Sequence, residues 1–275
     1  MDDRSELSDF LKSRRARLRP ADVGLRDYGK VRRVEGLRRE ELARVAGVSI
    51  AHYTRLEQGR GDSVSGDVLD AVGAALRLDP DELAHLRRIA RRPLPCADVG
   101  ASADVPVGLR HLMRSFTLTP ALLVGRHTQI IGWNQLAGAV FGDLAALPED
   151  HRTLSHLLFT GPRLWLRPTD RERAARAHVA HLRVLFGRYR GDAALTAHID
   201  HMRELSADFT RMWAEHPVAQ ARSRTYVLQH PVVGELTLHG ELVSLPDQPS
   251  CCGLDLFAAE PGSASERALR KLGSP

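Results

Sequence analysis

Residues 37–60 read LRREELARVAGVSIAHYTRLEQGR, from Leu37 to Arg60. Leu42, Ala43, Val48, Tyr53 and Leu56 recur at helical spacing on both sides of Gly47, so the stretch reads as two short helices folded across a tight turn. Small Ala46 and Gly47 let the two approach closely. Ser49 is a good N-cap and Gly59 a good end for the second helix, expected over Ser49–Gln58. With those apolar positions turned inward, Ser49, Ile50, Ala51, His52, Thr54 and Arg55 point outward. In a helix-turn-helix unit the second helix enters the major groove with such residues at the base edges.

Their chemistry suits that task. The Arg55 guanidinium can pair bidentately with guanine O6 and N7, and Ile50 and Ala51 can make only apolar contacts, such as with thymine methyls. His52 suits a base or a phosphate. Arg38 and Arg39 start the first helix of the pair, where side-chain charge favours a phosphate. Arg14, Arg15, Arg32, Arg33 and Arg60 are further phosphate candidates. Lys12 to Arg33 holds nine basic side chains against only Asp22 and Asp27. Such a concentration suits a polyanion, although a solvated basic face would look the same.

On the N-terminal side, Leu7, Phe10 and Leu11 predict a helix over Ser5–Arg17, followed by a connector from Ala21 to Gly36. On the C-terminal side, Ser65 opens a helix expected over Gly66–Leu76. Asp79-Pro80-Asp81-Glu82 combines a capping aspartate, a first-turn proline and a capping-box glutamate, starting a helix that runs to about Ala90. Residues 1–92 thus form an all-α domain of about five helices. Pro93, Pro95 and Pro106 punctuate a linker over 93–106, and 107–275 form a second domain.

In that second domain, Ala121–Arg126 and Gln129–Trp133 suggest a hairpin, and Asn134 opens a helix to about Phe141. Further helices are expected over 151–159, over 169–187 with Thr169 and Glu172 as capping box, and over Ala193–Glu215 with a break near Ser206. Strands at Ser223–Gln229, Gly234–Leu245 and Gly253–Ala258 complete an α+β domain with a mainly antiparallel sheet.

Composition is ordinary for a globular protein: 275 residues, 43% hydrophobic, 27% charged, net charge +5. Without an uncharged apolar run of ~18 residues or a basic-then-apolar leader, the expectation is a cytoplasmic, nucleoid-associated protein without membrane contact. Cys96, Cys251 and Cys252 make no disulfide framework and no CxxC metal site. His178 with His181, and His198 with His201, stand three apart on expected helices, but no cysteine set or carboxylate-rich partner completes a metal site. No Walker loop, GxSxG or Rossmann glycine pattern occurs, so the expectation is a non-enzyme with no catalytic residue, cofactor or metal.

The ELA, AGVS, LE and G of residues 37–60 resemble the xenobiotic-response-element class, the Cro and phage-repressor type of helix-turn-helix. Arg39 stands where that class usually has a phosphate-contacting glutamine. DFLKSRRARLRPADVGL, RRVEGLRREELA and YTRLEQGRG further resemble the MmyB-like regulators of actinobacteria, with Glu35 where proline is common. PALLVGRHTQIIGWNQLA, residues 120–137, is similar to the start of that family's ligand-binding domain. The resemblance implies a PAS-like domain whose sheet and helices enclose an apolar pocket for a lipophilic, fatty-acid-like molecule. Trp133, Phe141, Leu157, Leu158, Phe159, Trp165, Leu182, Phe186, Phe209 and Trp213 would be candidate liners, with Arg163 or Arg183 as a carboxylate anchor. The competing reading makes the domain a dimerisation or protein-interaction module without ligand. The partners expected are a palindromic double-stranded DNA operator, a small molecule and a second copy of the chain.

Overall fold

Local capping sets the first helices. In the computed structural model, which describes residues 3–25, 36–61, 64–91, 107–160, 166–219, 223–244 and 251–273, α1 spans Asp3–Arg17, α2 Arg39–Val45, α3 Ile50–Glu57, α4 Gly66–Ala75 and α5 Pro80–Ile89. The Ser49 hydroxyl accepts from the His52 N–H at 3.2 Å and starts α3. Gly47, at φ 66°, makes the turn between α2 and α3, a conformation that disfavours any residue with a Cβ. Asp79 and Glu82 form the expected capping box on α5, each side chain accepting from the other's backbone N–H at 2.9 and 3.1 Å.

One core joins these helices. It contains Phe10 and Leu11 of α1, Leu42 of α2, Tyr53 and Leu56 of α3, Val72 of α4, and Leu86 of α5. Chain segments group into two units. The first comprises Met1–Cys96 with Arg183–Thr196 and Ala214–Ala219, and the second Ala97–Leu182, Ala197–Trp213 and Gln220–Pro275. Val184 and Val218 explain the later segments of the first unit, since both belong to its core. The expected linker, 93–106, lies outside the described residues.

The second unit opens with α6, Val107–Ser115, then β1, Ala121–Gly125, and β2, Ile130–Trp133. These strands pair antiparallel as the expected hairpin. Asn134 caps α7, Gln135–Phe141, its side chain accepting from the Ala137 N–H at 2.9 Å. Thr153 caps α8, Leu154–Phe159. Next come α9, Pro168–Arg188, α10, Ala193–Leu205, and α11, Ala207–Ala214, separated at Ser206. α9 begins at Pro168, so Thr169 sits inside its first turn rather than capping it; proline suits that turn because it lacks the N–H left unbonded there.

β3, Arg224–His230, β4, Gly234–Ser244, and β5, Cys251–Ala258, complete a five-stranded sheet of order β2-β1-β5-β4-β3, antiparallel throughout. The α+β architecture implied by the sequence stands. α12, Ala264–Gly273, and α6 are helices that the sequence reading does not include. Both cover the sheet. Leu269 of α12 packs with Leu122, Leu236 and Phe257 on one face, while Met113 of α6 packs with Leu123 and Leu254 on the other. Cover on both faces explains why all five residues of β1 are buried instead of alternating.

Candidate DNA-reading face and ligand pocket

α3 divides cleanly by exposure. Tyr53, Leu56 and Glu57 are buried, whereas Ser49, Ile50, Ala51, His52 and Arg55 are exposed and Thr54 is partly so. Ile50 is 48% exposed and stands beside exposed Ala51 at the start of the helix, an apolar pair free to meet a partner surface. The Ser49 side chain is already used in capping, so it sets the start of the helix as well as standing at its tip.

Beneath this face lies a buried carboxylate. Glu57, 1% exposed, accepts from Arg15 Nε at 2.8 Å, from Arg39 Nε, and from the Tyr53 hydroxyl at 3.1 Å. Burial alone would raise its pKa; the Arg39 and Arg15 bonds hold it below the usual carboxylate value. One acid on α3 thus ties down α1 through Arg15 and α2 through Arg39. Arg15 also donates to the Leu37 carbonyl.

In the second unit, a cavity opens between the sheet and helices α7 to α9. Its lining is mainly aliphatic and aromatic, including Leu122, Phe141, Leu144, Leu158, Leu228 and Phe257. Four polar residues interrupt it: His178, Arg224, Tyr226 and Asp255. His178 Nε2 lies 2.9 Å from Ser155 Oγ, and His198 Nε2 reaches the same oxygen, also at 2.9 Å. Arg224 Nη2 stands 3.6 Å from Asp255 Oδ1.

Residues 105–272 match the family model described as the MmyB-like transcription regulator ligand binding domain. The chain belongs to the MmyB-like transcription regulators. Residues 6–86 of the regulator also match a helix-turn-helix domain. No curated protein matches it. It is a ligand-sensing transcription regulator, and the families it matches are families of regulators, which are generally not enzymes. Among the described residues no helix is long and apolar enough to cross a membrane, and no group of three or more His, Cys, Asp or Glu is placed to hold a metal ion.

The basic residues of the MmyB-like regulator divide. Arg38, Arg39 and Arg60 are exposed. The Arg38 N–H is taken by Glu41 at 2.7 Å, so phosphate binding there would rest on the side chain. Arg14 turns inward: 3% exposed, it pairs with Glu82 at 2.8 Å and donates to the His216 carbonyl at 2.6 Å. Arg15 is committed to Glu57, and Arg32 and Arg33 lie outside the described residues.

The proposed liners scatter as well. Phe141, Leu157 and Leu158 line the cavity. Trp133 instead faces the Arg152 guanidinium, 5.4 Å from its ring centre. Phe159 meets Phe209 edge-to-face and Phe209 stacks on Trp213, with ring centres 5.2 and 5.9 Å apart. Leu182 is fully buried outside the lining, Phe186 belongs to the first unit, and Trp165 lies outside the described residues. Of the two arginines considered as anchors, Arg163 is also outside them, while Arg183 is buried in the first unit against Glu6 at 2.5 Å.

Sequence reading missed Glu57 and the Arg224–Asp255 pair. A signal existed for Asp255. It interrupts the apolar run Gly253–Ala258, and a charge inside an otherwise apolar strand needs a partner or a purpose.

Proposed function

We propose that this regulator reads a specific operator with α3: Arg55 on a guanine, Ile50 and Ala51 on thymine methyls, His52 and Thr54 beside them, and Ser49 at the tip. Arg38, Arg39 and Arg60 bind phosphates around that face. The protein acts at the nucleoid as a homodimer on a palindromic site, with half-sites about 34 Å apart. Its pocket takes a small lipophilic molecule whose presence alters DNA binding.

The observation that carries the reading is the exposed apolar and basic tip of α3 above a fully buried inner side. The cavity supports the sensory half, since its walls are mainly apolar and a few polar groups converge on it, as in small-molecule sites.

Selection of bound sites from random DNA tests the first half. A two-fold symmetric consensus supports it, and absence of any enriched sequence overturns it. Native mass spectrometry of the purified protein, before and after organic extraction, tests the second. An added mass that extraction removes supports a ligand. An unliganded protein that takes up no lipophilic probe overturns it.

A further inference from the structure

Resting on the reading that the pocket takes a small molecule, we propose that this molecule is uncharged and carries one group that both donates and accepts a hydrogen bond, a hydroxyl or an amide, seated between Arg224 and Asp255. The register of the sheet creates the site. Arg224 opens β3 and Asp255 lies in the centre of β5, and both side chains reach the same apolar cavity. Asp255 is 3% exposed and Arg224 16%. At 3.6 Å the two attract as ions but do not form a hydrogen bond.

Each keeps an unmet need. Asp255 Oδ1 has no hydrogen-bond donor and Arg224 Nε no acceptor, although both atoms are buried. Buried ionic groups are tolerated when paired and hydrogen-bonded, and this pair meets only the first condition. The other polar liners do not fill the gap. His178 Nε2 is occupied by Ser155, and burial keeps the Tyr226 phenol protonated, its pKa pushed up to about 12.

Charge decides what fits. One guanidinium and one carboxylate already cancel, while His178 is neutral because burial drives its pKa well down. A ligand carboxylate would satisfy Arg224 but bring a second anion against Asp255, whose carboxyl burial already raises to about 6. A cation would face Arg224 in the same way. A hydroxyl or amide can donate to Oδ1 and accept from Nε without adding charge, and the apolar walls take the rest of the molecule.

The test compares decan-1-ol with decanoate on the delipidated full chain at pH 7.5, by displacement of a fluorescent apolar probe. Decan-1-ol is expected to bind at least tenfold more tightly. Asp255→Asn should narrow that preference by strengthening decanoate. Leu158→Trp, which fills the cavity, should weaken both probes at least tenfold. Decanoate binding as tightly as decan-1-ol to the unmodified protein overturns the inference while leaving the pocket reading in place. The wild-type comparison decides this even if Asp255→Asn does not fold. Failure of both probes to bind, with no co-purifying molecule, overturns the pocket reading and the inference together.

Discussion

Arg39 of α2 and Glu57 of α3 are bonded through Nε and Oε2, so the residue expected to grip DNA also fastens the reading helix to its neighbour. The arginine stays 49% exposed while the acid is 1% exposed. A guanidinium has five N–H donors and this bond uses one.

Glu57→Ala should therefore destabilise the first unit by about 3 kcal/mol, because it strands Arg15, which is only 13% exposed, without its buried counter-charge. Urea denaturation measures the loss. A change below about 0.5 kcal/mol would mean that the three-helix tie contributes little.

Arg55→Ala and Arg39→Gln should fail in different ways. The first is expected to relax preference at one base position by ~1–3 kcal/mol and the second to weaken all sequences together, lowering the salt dependence by about one phosphate contact. Binding titrations over a salt series, on the selected site and its single-base variants, separate the two. An unaltered preferred sequence in Arg55→Ala would refute the assigned reading face.

Gly36→Ala should cost about 2 kcal/mol or more. Gly36 has φ 87°, and an added Cβ would come within 2.6 Å of the Ala16 Cα, so left-handed strain and a backbone clash combine. Thermal unfolding of the variant provides the check.

Lowering the pH should destabilise the protein between 6.5 and about 4. Burial holds His198 and His216 down at about 4, and drives His178 well down too, against 6.5 for an unfolded histidine. The unfolded chain therefore takes up protons first, and stability present above 6.5 is lost as pH falls. Asp255 works in the opposite sense, since its raised carboxyl is protonated in the fold before it would be unfolded. With His85 and His156 also held down by burial, five histidines outweigh one acid. Urea denaturation from pH 7 to 4.5 should show the decline, and His198→Asn should flatten it.

Much of this was legible beforehand because it is local. Ser49, Asp79 and Asn134 each announce a helix start within four residues, and all three cap as expected. The exposed side of α3 followed from periodicity alone. The pocket did not, because its polar pair joins residues 31 positions apart whose meeting depends on the register of β3, β4 and β5. Aromatic content was a poor guide to the lining for a related reason. Phe159, Phe209 and Trp213 pack on one another, edge-to-face and stacked, leaving leucines to form much of the wall. α12 carries a local signal that the sequence reading does not use: Ala268, Leu269 and Leu272 share one side, and the Ser263 hydroxyl accepts from the Glu266 N–H at 3.1 Å.

Strand order has a consequence for biogenesis. β1–β2 and β3–β4 are hairpins that can each close from nearby chain, but β5 lies between them and pairs with both β1 and β4. Until a ribosome has released residues up to Ala258, the two hairpins have open inner edges and no shared sheet. The first unit, whose last segment ends at Ala219, is complete before that, so a nascent chain can carry an output without its sensor. Loss of the last strand through a frameshift or early stop would leave that condition permanent, with two unpaired edges prone to self-association.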